Sequence, residues 1–232
     1  MICITGDTHR KFQRIYDFCQ IHPQLQPTDI MILLGDTGLN YFGGARDEKY
    51  KRMLSTLPLT LLCIHGNHEQ RPEEIPTYQT IPWRGGLVYQ EPAYPNLLFA
   101  QDGSIYHLEG HPAIAIGGAY TANKKEWLAK GRNWWPNEQP SAMTKKRVEQ
   151  RLEQQNWQVD WVFSHTCPLH QEPQEVFSPD IDQSTVDKST EQWLQTIADR
   201  LSYQAWFCGH FHTEKTVQKL QILFESIKIL TK

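Results

Sequence analysis

LTLLCIHGNHE, residues 59–69, carries an apolar run straight into Gly66, Asn67, His68 and Glu69. The run favours a buried strand, and the turn after it holds metal-ligand and acid–base side chains. The same arrangement recurs along the chain. ICIT from residue 2 runs into Gly6-Asp7-Thr8-His9, and MILL into Gly35-Asp36. Later, WVFS runs into His165, and AWFC into Gly209-His210-Phe211-His212. Glycine precedes the ligand type in four of these five turns, where a residue without Cβ lets the chain bend sharply and lets an ion or substrate approach the backbone. Ligands of open α/β sheets bind beyond the carboxyl ends of strands, so turns far apart in sequence are expected to converge on one spot. A lone GD pair is an ordinary turn, and a lone HxH is as readily a bystander as a ligand. The ordered set D-x-H, GD, GNHE, H and GHxH, each closing an apolar run, points to one metal-dependent site.

Working outward, the strand-like runs are ICIT from 2, DIMILL from 29, LTLLCIH from 59, LLFA from 97, SIYHL from 104, AIAIGG from 113, VDWVFSH from 159, AWFCGH from 205 and LQILFE from 220. Helical spacing occupies residues 11–21, 45–57, 142–155 and 187–201, with Ser141 and Thr190 as expected starts and Gly43-Gly44 as a break. The first half alternates strand and helix, as a parallel sheet requires, whereas residues 83–117 read as successive short strands in antiparallel hairpins. A mixed α/β layered fold follows. Residues 71–96 and 166–185 read as long loops, and loops of that length in a compact domain are often functional.

Composition narrows the function classes. A chain of 232 residues suits one domain, and no stretch is long and apolar enough to cross a bilayer. MICITGDTHR enters a strand without a basic leader or cleavage site, which predicts a cytoplasmic protein. Five cysteines, widely spaced and without CxxC, argue against a disulfide framework or a cysteine zinc site. The net charge of −3 offers no broad attraction for nucleic acid, so an anionic substrate needs a local positive source such as metal.

Asp7 to His9, Gly35-Asp36, Gly66 to Glu69, His165 and Gly209 to His212 resemble the ordered motifs of the calcineurin-like metallophosphoesterases. GGAY, NWWPNEQPS, DQSTVDKST and CGHFHTEK are similar to stretches of a bacterial and phage subgroup. The resemblance implies a single domain over 1–232 with insertions at about 117–141 and 166–185, folded as a four-layer αββα sandwich of two mixed β-sheets flanked by helices. It also implies two divalent ions, manganese foremost with iron, nickel or zinc compatible. Asp7, His9, Asp36 and His212 would hold one, and Asp36, Asn67, His165 and His210 the other, with Asp36 bridging. Imidazole and carboxylate ligands without thiolate suit an open catalytic site. Such a pair, about 3.5–4 Å apart, activates water for in-line attack on a phosphomonoester or phosphodiester. His68 would act on the leaving oxygen or the transition-state charge.

Two departures bear on substrate choice. Arg10 stands where relatives often have glycine, and Gly38 where many carry an acidic residue. Arg10 and Arg71 are candidate phosphate contacts; surface placement is the plainer reading of both. His65 reads as a packed histidine near the site, while His22, His107 and His111 read as bystanders. Cys167 and His170, which follow His165, read as pocket lining; a nucleophilic cysteine would be redundant beside a metal hydroxide. The stretch 117–141, with three tryptophans and a lysine pair, suits either stacking of a nucleotide or single-stranded nucleic acid, or pinning of a long loop to the body. A nucleic-acid-processing phosphodiesterase and a non-catalytic binding module on the same fold are the competing functions; loss of ligands would favour the latter, and every ligand position is filled.

Overall fold

A computed structural model describes residues 1–231. Its first half contains β1 (Ile2–Thr5), α1 (Gln13–Ile21), β2 (Ile30–Leu33), α2 (Ala45–Leu54), β3 (Thr60–Cys63), β4 (Gln79–Trp83), β5 (Gly86–Gln90) and β6 (Leu97–Ala100). The second half contains β7 (Ile105–Leu108), β8 (His111–Ile116), α3 (Lys124–Ala129), α4 (Ala142–Gln154), β9 (Trp161–Ser164), α5 (Ser189–Ala198), β10 (Ala205–Cys208), β11 (Lys215–Val217), β12 (Leu220–Ile222) and β13 (Ile227–Thr231). One sheet has the order β13-β1-β2-β3-β6-β5-β4, the other β11-β12-β10-β9-β8-β7. Both are mixed: β1, β2, β3 and β6 run parallel, as do β8, β9, β10 and β12, with antiparallel strands outside them.

Side-chain alternation explains the layering. Successive strand residues point to opposite faces, so Ile2 and Ile4 face one way and Cys3 the other. Ile2, Ile4, Ile32, Leu62 and Leu98 meet Tyr106, Ala113, Phe163 and Phe207 from the second sheet, forming the core between sheets. Cys3, Met31, Leu33 and Leu61 face outward against Ile15 and Phe18 of α1 and Leu54 of α2. On the far side, Ile114, Val162 and Trp206 pack against Val148 and Leu152 of α4 and Leu194 and Ile197 of α5. The result is the four-layer αββα sandwich. Each fully buried Ile or Leu contributes about 1.5–3 kcal/mol of transfer free energy to it.

Several local readings need correction. Residues 71–96 are not a loop: they contain the β4–β5 hairpin, whose outer strand is largely exposed and carries Pro82, as only an edge strand tolerates. The stretch 117–141 contains α3, which buries none of its residues. Residues 166–185 hold only three short 3-10 turns. Ser141 caps α4 by accepting from the Thr144 amide, as its sequence position suggests. Thr190 does not start α5, which begins at Ser189; its hydroxyl instead donates to Gln139. All five cysteines are free, and Cys167 packs in the outer core beside Cys208 rather than in a pocket wall.

Candidate metal centre

The five turns meet at the carboxyl edges of β1, β2, β3, β9 and β10, where the parallel strands of both sheets end side by side. Backbone hydrogen bonds tie them together: His9 donates to Asp36 O at 2.8 Å, and Gly209 to His165 O at 3.0 Å. Carboxylates add cross-links. Asp36 Oδ1 accepts from the His68 amide at 2.8 Å, and Asp7 Oδ1 from the His210 amide at 2.9 Å. A Cβ on Gly209 would lie 2.2 Å from Asp7 Oδ1, so only glycine lets the last turn close on the first. His9, Arg10, Asp36, His210 and His212 all have φ between 45° and 69°. Left-handed backbone at non-glycine residues costs about 1–3 kcal/mol each and persists where surrounding structure enforces it, often at functional sites.

The side chains converge. His9 Nε2 and His212 Nε2 are 2.8 Å apart, and Asp7 Oδ2 lies 3.7 Å and 3.2 Å from them respectively. Asp36 Oδ1 is 3.7 Å from His165 Nε2, and its Oδ2 is 4.0 Å from both His9 and His68 Nε2. Asn67 Oδ1 sits 2.9 Å from His165 Nε2, and His210 packs edge-on against His165 with ring centroids 5.0 Å apart. His165 Nδ1 is fixed by Leu34 O at 2.7 Å, which aims its Nε2 at the site. Asp7, Asp36 and His165 are buried, while the His212 side chain is 49% exposed, so the cluster opens on that side.

Asp7 Oδ2 is buried without a hydrogen-bond donor, and it faces two imidazole nitrogens that point at each other. Such a set suits a cation, and Asp7 with His9 and His212, and Asp7 with Asp36 and His165, have the spacing to hold metal. Electrostatics without metal agree. Burial raises the Asp36 carboxyl, but His68, His165 and His9 outweigh it and hold it well below the carboxylate range. Burial likewise opposes ionisation of Asp7, and His212 and His165 overcome it. Burial pushes His210 down to about 3 and lowers His9 and His68, leaving neutral imidazoles, the form that binds metal. The Asp7 carboxylate, 3.2 Å from its Nε2, raises His212.

Residues beyond the candidate ligands orient this cluster, and sequence reading gave them no such role. Asn67 Nδ2 donates to Thr121 Oγ1 at 2.9 Å, which donates to Glu138 Oε2 at 2.5 Å. This relay turns the Asn67 carbonyl oxygen toward His165. Glu69, the last residue of GNHE, is buried and accepts from Thr37 Oγ1 at 2.6 Å and the Gly38 amide at 3.1 Å, holding the Asp36 turn. Burial and nearby Asp36 raise it to about 7. Trp127 of α3 stacks on His68, with centroids 4.2 Å apart and planes 24° from parallel. The other tryptophans behave differently: Trp134 donates to Glu138 at 2.8 Å and lies under Lys124, pinning its own segment.

Not every candidate joins the site. Arg71 is buried, with Nη1 2.7 Å from Asp102 Oδ2 and Nε donating to Asn137 O, and it does not line the cavity over the cluster. Arg10 does line it. His65 is buried with neither ring nitrogen bonded, and burial drives it far down into the neutral form. His22, His107 and His111 lie elsewhere; His111 pairs with Asp160 and stacks on Trp161. A cavity of about 500 Å³ opens from His9, Asn67, His68 and His212, walled by Trp127, Phe177 and Phe211.

The αββα sandwich gathers carboxylates and imidazoles at its strand ends, with the spacing to hold metal. Residues 1–214 match the profile of the calcineurin-like phosphoesterases, and the chain belongs to that family. Among solved structures, TT1561 of Thermus thermophilus superposes with a TM-score of 0.52 at 13% identity, over 96% of this chain and 87% of that one; the likeness is one of fold. Phosphopantetheinyl hydrolase from Mycobacterium tuberculosis gives a TM-score of 0.48 at 15% identity, over 96% of this chain and 87% of that one. No curated protein matches the chain. Membership implies phosphate-ester substrates and divalent metal. Among the described residues, no helix is long and apolar enough to cross a membrane.

Proposed function

We propose that this protein is a dinuclear-metal-dependent phosphoesterase. The observation that carries the reading is the His9–His212 contact at 2.8 Å beside the orphaned Asp7 Oδ2, joined through Asp36 to His165 and Asn67. Asp7, His9, Asp36 and His212 would hold one ion, and Asp36, Asn67, His165 and His210 the second. When bound, such ions supply Lewis acidity at phosphoryl oxygens and lower the pKa of water.

The remaining work falls to this chain's own groups. Asp36 faces both halves of the cluster and is suited to bridge them. His68 is neutral and held by its backbone bond to Asp36 and by the Trp127 face. Its ring N–H is suited to donate to the oxygen leaving phosphorus or to the charge that develops there. Trp127, Phe177 and Phe211 exclude water from the ester's organic arm.

The experiment is direct. Protein stripped of metal and reloaded with Mn, Fe, Ni or Zn should hydrolyse p-nitrophenyl phosphate or bis(p-nitrophenyl) phosphate. Metal binding without turnover for any of these ions contradicts the reading and favours a binding module. Cleavage of single-stranded oligonucleotides would move the assignment toward nucleic-acid processing.

A further inference from the structure

We infer that the site holds a second anion subsite, formed by Arg10 and Arg132, and that its substrate carries a second phosphate linked to the scissile one. The inference rests on the phosphoesterase reading and adds the substrate class to it. A separate cavity of about 320 Å³ lies beside the cluster, lined by His9, Arg10, Gly38, His68, Trp127 and Arg132 among others. It shares His9, Arg10, His68 and Trp127 with the larger cavity, so the two adjoin at the cluster.

The two departures from the family pattern turn out to be one feature. A Cβ on Gly38 would lie 2.6 Å from Arg10 Cγ and 2.9 Å from its Nη1, so the Arg10 side chain occupies space that an acidic residue at 38 would fill. The Arg10 guanidinium then rests 4.6 Å from the Tyr41 ring centroid and 5.1 Å from that of Phe42. Opposite it, Arg132 lies 4.5 Å from the centroid of Trp127, the ring that stacks on His68. Asn133 Nδ2 donates to Tyr41 O at 2.8 Å, which joins the supports of both arginines. Among the described residues, neither guanidinium forms an ion pair or a side-chain hydrogen bond. Two forked donors, seated on aromatic faces and in direct contact with no carboxylate, match the charge and oxygens of a phosphate.

The test is a ratio of affinities, read by titration calorimetry on metal-loaded protein. Methylphosphonate has one anionic head; methylenediphosphonate has two, joined by a carbon that cannot be hydrolysed. Wild type should bind the diphosphonate at least about tenfold more tightly, and Arg10→Ala and Arg132→Ala should each cut that ratio at least about threefold. Gly38→Ala, which keeps both charges but displaces Arg10, should cut it as well, with circular dichroism confirming the fold. An unchanged ratio in both arginine variants means that the second head is held by metal or solvent, and overturns the inference. A wild-type ratio near one does the same. Failure of nitrophenyl phosphate turnover would sink the underlying reading; turnover with an unaltered ratio would sink only the subsite.

Discussion

Thr121→Val removes a single hydroxyl from the relay behind Asn67 while keeping the side chain's volume. The wild-type hydroxyl accepts from Asn67 Nδ2 at 2.9 Å and donates to Glu138 Oε2 at 2.5 Å, all three residues being buried. Valine leaves an amide N–H unpaired and takes one donor from a carboxylate that keeps the Trp134 and Thr121 amide contacts. An unsatisfied buried group costs about 1–3 kcal/mol. Part of that cost is relieved when Asn67 rotates, and rotation takes its oxygen away from His165. A loss of about 2 kcal/mol at the Asn67 ion corresponds to roughly 30-fold weaker binding, within the range of about 10–100-fold for groups that orient metal ligands. Calorimetric titration of metal-free protein with Mn²⁺ should show one class of site weakened by that factor and the other unaffected. Thr121→Ser should restore it. Equal affinities in Thr121→Val and wild type at both sites would refute the relay.

Other expectations follow from the same geometry. His68→Ala should keep its metal and lose about 10²–10⁴-fold in kcat, checked by steady-state kinetics beside metal analysis. Arg71→Ala leaves Asp102 buried and uncompensated, so chemical denaturation should show a loss of about 3–5 kcal/mol, unlike the shift in KM expected of a substrate contact. Burial raises Glu191 to about 7, and its Oε2 has no partner. The unfolded chain ionises first, near 4.5, so this group lowers stability as pH climbs from there to about 7 and adds no further change above. Glu191→Gln should therefore gain on wild type across that window, by about 2–3 kcal/mol in urea midpoints converted to free energy; parallel curves would contradict the burial argument.

What was legible in the sequence shares a physical reason. The strands that end in ligands are central and buried on both faces, so ICIT, MILL and WVFS announce themselves as apolar runs, and their glycines mark the turns. The layering was implied by the family motifs and is accounted for by the alternation of residues such as Ile2 and Cys3. Edges were harder. QTIPW, residues 79–83, is an exposed edge strand without an apolar run, and IKILT, residues 227–231, becomes a strand only because it returns to pair with β1. KKEWLA buries nothing in its own helix, so periodicity could not find it. Within the site, every candidate ligand lay at a strand end and could be read, whereas Thr121, Glu138 and Trp127 act through contacts made across the fold. Arg71 was offered as a phosphate contact from its place near GNHE, but its direction is set by Asp102, 31 positions further on. Of the three tryptophans in 117–141, Trp127 stacks on His68, whereas Trp134 pins its own segment through Glu138.

The central claim, two ions sharing Asp36, is tested most directly by metal stoichiometry. Metal-free wild type titrated with Mn²⁺ and assayed by elemental analysis should take up two equivalents, and Asp36→Asn no more than one, with loss of phosphoesterase turnover. A single equivalent in wild type, or two retained with full activity in Asp36→Asn, would contradict the account.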